Sequence, residues 1–586
     1  MKQTLNEWVS NLWEKDQHIV NIATGCLASE EMKNNLDSLH QRGTDALESF
    51  LERIVEGKEQ KEQKVPSKTY YDKITKEKIV SFTTKKAKKE LSAMQDENVS
   101  FGEILSRYEG KRLNLRQVMD WPITSKPYAI APEDGKTRSK NKSLFRNYLQ
   151  GLSPEKSSKE APSDIDTSIV DMMRVVRLIP ISEAKPPIFL EWAKSIARYL
   201  LALPGKNLHL VFDNYSPLED RSKVLSKGRL NDGQERKIAS LNQVLPKSSD
   251  WQDFLHNENN KFRICNLLAD YFSSGELTTD KTIYVTKEET CYIKEPSSER
   301  LELPELYSCH READHRLASH CIHAAESTSK PVCIVAEDTD VYILLLHFSS
   351  LTKVKIYFRQ GTKSSKAGIT YHNVSVLAET LGLDICNILP AFHALTGSDY
   401  TNPFFRRSKI RSFKKLLKLP DKCALITSML SGKADVDQVI DFVLHIIYNR
   451  PLREKTPGDS RYAMLFVKTG KQTKFAPTQS LPPDYDSLNQ KIMRANFVAY
   501  GWSNSLYGEF DQPDPLLYGW KYENESLIPV WYEGKPLPGN EEILRYVDDN
   551  QDEFELPSLR SQKSNESDSE SDSDGDVVSS EDEIDY

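Results

Sequence analysis

The sequence predicts an α/β protein built on a mainly parallel sheet with helices on both faces, and three observations predict it. Short apolar runs, NLHLVF (207–212), PVCIVA (331–336) and Val354–Phe358, alternate with stretches of helical spacing, as in parallel strands joined by crossover helices. The chain has 586 residues, enough for two or three domains with sizeable cores. Acids also stand just after two of the apolar runs: Asp213 after LHLVF, Asp338 and Asp340 after PVCIVA. The carboxyl ends of strands in an open parallel sheet border the crevice where ligands bind.

Taken in order, residues 1–110 are expected to form a helical N-terminal region. Leu5, Trp8, Val9, Leu12 and Trp13 recur at helical spacing, as do Leu47, Phe50, Leu51 and Ile54. Lys58–Lys68 is a solvated linker by composition. KKAKK (85–89) suits an exposed helix face, a nuclear-import signal or a phosphate contact. Residues 111–165 carry turn signals (Trp121-Pro122, Asp134-Gly135, Ser153–Ser163) and read as an approach segment. The α/β domain is placed at 166–430. It comprises a strand running into a helix at Ser168–Val176, an amphipathic helix at Phe189–Leu203, the strands above, and helices at Glu312–Ala325 and Val374–Gly382. Residues 431–547 are a mixed extension rich in Trp, Tyr and Pro. Residues 548–586 are too poor in apolar side chains to fold alone and are expected to be a disordered acidic tail.

That tail carries 15 Asp/Glu against 2 Arg/Lys, a net −13 in a chain whose total is −8, so residues 1–547 carry +5. A mildly basic body is compatible with a polyanionic partner. The eight cysteines are scattered without a CxxC pair, as in a reduced intracellular protein. The first residues are charged where a signal peptide needs an apolar core, and the longest apolar stretch, Val341–Phe348, is too short to span a bilayer. The expectation is a soluble, intracellular protein without a membrane partner, with the nucleus suggested by the basic runs. There is no Gly-rich phosphate loop and no G-x-S-x-G elbow, which argues against nucleotide hydrolases and serine hydrolases.

The acids carry the chemical argument. Asp171 lies in SIVDMM, Glu312 and Asp314 open a helix in CHREADHRLASH, and Asp399 follows a Gly turn in HALTGSDYTNPF. If these meet Asp213, Asp338 and Asp340 at the strand ends, like charges raise one another's pKa unless a cation neutralises them. Hard oxygen ligands select Mg²⁺ or Mn²⁺. Singly, each acid has a plainer role: Asp338 as a helix N-cap, Asp213 as an Asx-turn residue, Glu312 as a helix-dipole partner. Downstream, FRRSKIRSFKKLLK (405–418) puts Arg407, Arg411, Lys414, Lys415 and Lys418 near one helix face, with Ile410, Phe413 and Leu417 as its core side. Such a stripe suits a DNA or RNA backbone or a solvated surface. Cys309, His310, His315, His320, Cys321 and His323 invite zinc, but the spacing fits no finger.

The order of the acidic motifs resembles that of the flap endonuclease/XPG-type nuclease family, within the PIN-like superfamily. VFD (211–213), READ (311–314), EDTD (337–340) and LTGSDY (395–400) look like its successive acid motifs. A narrower resemblance, over roughly 114–531, is to uncharacterised invertebrate proteins with this domain, often mobile-element-associated. It rests on HREADHR, DTDV, FHALTGSD, LPPDYDSL and RANFVA. The resemblance implies a PIN-like (5′ nuclease-type) twisted sheet and a two-metal site for Mg²⁺ or Mn²⁺. It further implies hydrolysis of phosphodiesters in single-stranded or branched DNA or RNA. Asp213, Glu312, Asp314, Asp338, Asp340 and Asp399 would be catalytic, with Asp171 as a further metal ligand and Asp164 and Asp166 as alternatives to it. The polar, basic segment after Asp213, with Arg221 and Lys223, would contact nucleic acid. Two departures stand out. Thr401-Asn-Pro-Phe replaces the family's phosphate-gripping Gly-Ile-Gly, and Arg311 replaces an acid of the narrower group. The alternative expectation is a catalytically inactive PIN-like protein that binds nucleic acid or protein.

Overall fold

The computed structural model describes residues 8–10, 19–21, 114–131, 143–216, 233–274, 277–365, 367–469, 472–523, 526–538 and 542. They fall into two compact units. One is drawn from Met1–Lys89, Ile181–Glu191 and Arg229–Leu267, the other from Glu90–Pro180, Trp192–Gly228 and Leu268–Tyr586.

In the first unit, Trp8–Ser10 pairs antiparallel with Ile19–Asn21. Trp8 and Val9, expected on a helix, are therefore extended. Elsewhere in this unit, buried Asn260 accepts from the Arg236 N–H at 2.8 Å and donates to the Gln234 and Phe254 carbonyls. One side chain thus ties two backbone groups of the irregular stretch at 234–236 to a carbonyl of the helix Trp251–His256.

The second unit is α/β. Its sheet contains β1 (Thr167–Asp171), β2 (Asn207–Val211), β3 (Thr282–Lys287), β4 (Thr290–Lys294), β5 (Leu301–Glu302), β6 (Val332–Val335), β7 (Ile356–Gln360) and β8 (Thr370–Asn373), in the order β8-β7-β6-β1-β2-β3-β4-β5. The five strands from β7 to β3 are mutually parallel, and β8, β4 and β5 are antiparallel additions at the edges. Central β6 (VCIV) is buried at every residue, the continuous apolar run expected of a strand covered on both faces. The hairpin β3–β4 and the short β5 occupy a stretch in which the sequence showed no strand; β3 (TIYVTK) is only partly buried. The registers align Asp171 with Val211 and Val170 with Val335. The carboxyl ends of β6, β1 and β2 therefore lie side by side.

Helices α1 (Ser143–Gly151), α2 (Met172–Leu178), α3 (Phe189–Leu201), α4 (Glu258–Ser273), α5 (Ala313–Ser327), α6 (Thr339–Phe348), α7 (Val374–Leu381), α8 (Leu383–Thr396), α9 (Lys409–Lys418) and α10 (Tyr485–Ser503) follow the apolar spacing closely where it was legible. A single hydrophobic cluster includes Phe145 and Leu149 of α1, the strands β1 and β6, helices α5 to α9, and Leu488, Ile492 and Trp502 of α10. The packing thus runs without a break through the boundaries placed at 165/166 and 430/431. Among the described residues no single helix is long and apolar enough to cross a membrane. The bent pair α7–α8 passes by composition, but Val374 and Leu377 of α7 and most of α8 are buried in this core.

Candidate metal centre

Each strand end delivers an acid, and most of these acids also serve the local backbone. Asp171 closes β1 and caps α2, its Oδ1 accepting the Arg174 N–H at 3.1 Å. Asp166 stands at the opposite, amino-terminal end of β1, accepting from Thr167 and Asn207 side chains. Asp164 precedes it at a positive φ. Neither alternative reaches the carboxyl edge. Asp213, two residues beyond β2, accepts the Ala313 N–H at 2.6 Å and the Tyr215 hydroxyl at 2.7 Å. It thereby caps α5, whose N-cap residue Glu312 makes no side-chain cap bond. Burial first, then the charge of Asp213, pushes the Asp171 carboxyl up to about 6. Asp338 follows β6 and caps α6, accepting the Asp340 N–H at 2.9 Å.

Three acids converge. One carboxylate oxygen each from Asp314, Asp338 and Asp340 lies within 4.8 Å of the others. Asp314 and Asp340 are buried, Asp338 half-buried. Asp314 is in the first turn of α5 and Asp340 in the first turn of α6. Two helix N-termini therefore direct partial positive charge at the group. Buried Arg146 of α1 donates to the Glu337 carbonyl. Burial lowers the pKa of its guanidinium, against the opposing pull of Glu337 and Asp338.

Behind Asp340 lies a second layer that the sequence did not disclose. His393 Nε2 is 2.9 Å from Asp340 Oδ1, with both side chains 1% exposed. Lys409 Nζ is 2.8 Å from His393 Nδ1 and 2.6 Å from the Gly397 carbonyl. His393 stands in the HALTGSD motif and Lys409 opens the basic run. Nothing in their spacing pointed to Asp340, 53 and 69 positions away in the chain.

The other predicted ligands are placed differently. Among the described residues, Asp314, Asp338 and Asp340 are the one group of metal-ligating side chains this close together; Asp171, Asp213, Glu312 and Asp399 are not in it. The described geometry thus brings together three of the seven acids expected in the site. Asp399 sits half-exposed on the turn after α8. Gly397 makes that turn at φ +117°, where a Cβ would meet Pro403 at 2.9 Å. The Ser398 N–H to Thr401 carbonyl bond, 3.0 Å, closes it. Arg311 reaches the Ser216 carbonyl at 3.0 Å. The six Cys and His residues form no zinc group among the described residues: His310 stacks on His315 and Phe510, while His320 bonds His209. Three hard oxygens suit Mg²⁺, Mn²⁺ or Ca²⁺ better than a softer ion.

The basic stripe is narrower than the spacing suggested. Arg407 precedes α9 and lies over the Tyr448 ring, donating to the Ser480 carbonyl. Lys415 donates to the His445 carbonyl and Asn449, and burial lowers its pKa. Both turn into the protein because they face residues of the 431–547 segment. Arg411, Lys414 and Lys418 remain on the exposed face. Arg221 and Lys223 lie outside the described residues.

Compared with known proteins, the chain matches no family model and no curated protein.

Proposed function

We propose that the protein is a divalent-metal-dependent nuclease of PIN-like type that hydrolyses phosphodiester bonds in DNA or RNA. The observation that carries this reading is the meeting of Asp314, in the first turn of α5, with Asp338 and Asp340, just beyond the carboxyl end of β6. Three carboxylates this close are costly without a cation, and their donor set fits a hard divalent ion. Asp314, Asp338 and Asp340 would hold Mg²⁺ or Mn²⁺. When bound, the ion would act as a Lewis acid on the phosphate and lower the pKa of water.

The chain's own residues prepare that chemistry. Asp213 fixes the start of α5, and so the position of Asp314, through the Ala313 N–H. His393 holds Asp340. The exposed cations Arg411, Lys414 and Lys418 supply a surface for a phosphate backbone. Asp399, on its turn, is the nearest further acid in the motif order.

Labelled single-stranded, flap and RNA substrates, incubated with Mg²⁺, Mn²⁺ or chelator, test the reading. Cleavage that needs the ion and disappears in Asp340→Ala is expected; equal cleavage by parent and Asp340→Ala would refute it. A second reading, a non-catalytic nucleic-acid- or protein-binding protein, is favoured by Asp213. Both of its oxygens are already engaged, by Ala313 and Tyr215. Binding of the same oligonucleotides with no ion-dependent cleavage is the outcome expected of that reading.

A further inference from the structure

An ammonium group donates hydrogen bonds and accepts none. With Lys409 Nζ at 2.8 Å, His393 Nδ1 must therefore be the acceptor, and the ring's one proton resides on Nε2. That proton points at Asp340 Oδ1, 2.9 Å away. Asp340 also contributes a carboxylate oxygen to the group with Asp314 and Asp338. The ring itself is flanked by two aromatics. Phe145 stacks at 6.1 Å between centroids and Trp502 lies at 5.6 Å. These aromatics come from α1 and α10, outside the segment that carries the acids. Lys409 also donates to the Gly397 carbonyl at 2.6 Å, at the foot of the turn that bears Asp399.

We propose that His393 is the positioning residue of the metal centre, held in its Nε2–H form by Lys409 and in its plane by Phe145 and Trp502. The inference rests on the metal-site reading above. It assigns α1 and the 431–547 segment a role in the site, that of fixing the ring which orients Asp340. Outer groups that orient a metal ligand are worth about 10- to 100-fold in metal affinity.

The test uses the full-length chain and Mn²⁺ alone, titrated by electron paramagnetic resonance, with no substrate. His393→Leu is expected to weaken Mn²⁺ binding about 10- to 100-fold. His393→Gln, which restores an N–H donor, is expected to recover most of the loss, a rescue that a purely packing role would not give. Lys409→Met should give an intermediate loss. In the parent protein, nitrogen-15 spectra of labelled histidine should place the His393 proton on Nε2. Parent-like Mn²⁺ affinity in both His393→Leu and Lys409→Met would overturn the positioning role while leaving the metal centre standing. A parent chain that binds no Mn²⁺ would overturn both. Should His393→Leu fail to fold, Lys409→Met and the tautomer signal decide, and a proton on Nδ1 overturns the proposal.

Discussion

Helix α5 carries two clusters of titratable groups, and their treatment differs. In its first turn Asp314 joins Asp338 and Asp340 near two helix N-termini. Further along, His320 meets His209 of β2 with Nδ1 atoms 2.8 Å apart, in a wholly buried setting where His209 stacks on Tyr284. Burial, then the neighbouring imidazoles, drives His209 well below its ordinary value; burial, with His323 and Arg316, drives His320 down to about 3. The acid end concentrates like charge where a cation can relieve it. The imidazole end keeps its groups neutral. Clustered titratable side chains therefore mean different things according to whether the surroundings favour the charged or the neutral form.

The comparison can be broken most directly at the acid end. Asp338→Asn retains an N-cap of nearly equal quality, so stability in chelator should stay within about 0.5 kcal/mol of the parent. Ion-dependent cleavage should fall about 100-fold or more. Urea denaturation beside the cleavage assay measures both, and a large stability loss would assign Asp338 a purely structural task.

At the imidazole end, His209→Phe preserves stacking on Tyr284 but strands the His320 Nδ1. A loss of about 1–3 kcal/mol in chemical denaturation is expected, and a neutral result would remove the bond's importance.

The pH dependence follows with a definite sign. The folded histidine pKa values lie below the unfolded value near 6.5, so above pH 6.5 neither state takes up the proton. As pH falls below 6.5, the unfolded chain gains protons that the folded one refuses. Each such imidazole then removes about 1.4 kcal/mol of stability per pH unit, for His320 until about pH 3. Asp171, raised to about 6, acts oppositely: the folded state holds its proton more tightly, so stability is gained as pH falls from about 6 towards 3.8. His310 and His372, each lowered to about 4 chiefly by burial, add to this decline, so the net between pH 6 and 4 is a loss of stability, measurable as urea midpoints across that range in chelator. Asp171→Asn, which retains the cap, should steepen that decline, the smallest of these effects.

How much was readable in advance varies with the physical origin of each feature. β2, β6 and β7 were legible because strands covered on both faces become unbroken apolar runs, and α3, α5, α7 and α9 because their apolar spacing is helical. The β3–β5 addition was not, because TIYVTK, though paired on both sides, is only partly buried and lacks that signature. The helical spacing of Leu5, Trp8, Val9, Leu12 and Trp13 did not prevent Trp8–Ser10 from pairing as a strand, since tertiary pairing overrides a short local period. In the site, Asp314, Asp338 and Asp340 were named from motif order, and their convergence follows from the docking of the first turn of α5 against the end of β6 and the start of α6. Arg146, His393 and Lys409 were missed because their partners are distant in the chain.

By itself, then, the sequence determined the alternation of strands and helices, and therefore which acids would stand at strand ends, because burial imposes its period on the chain locally. Only the tertiary structure decided which acids meet. Asp213 was taken to cap α5, Asp171 to cap α2, and Asp399 was carried on a separate turn. Asp340 was backed by a histidine packed against Phe145 and Trp502. Those outcomes depend on hydrogen-bond partners that packing brings together from remote segments, and local composition records none of them.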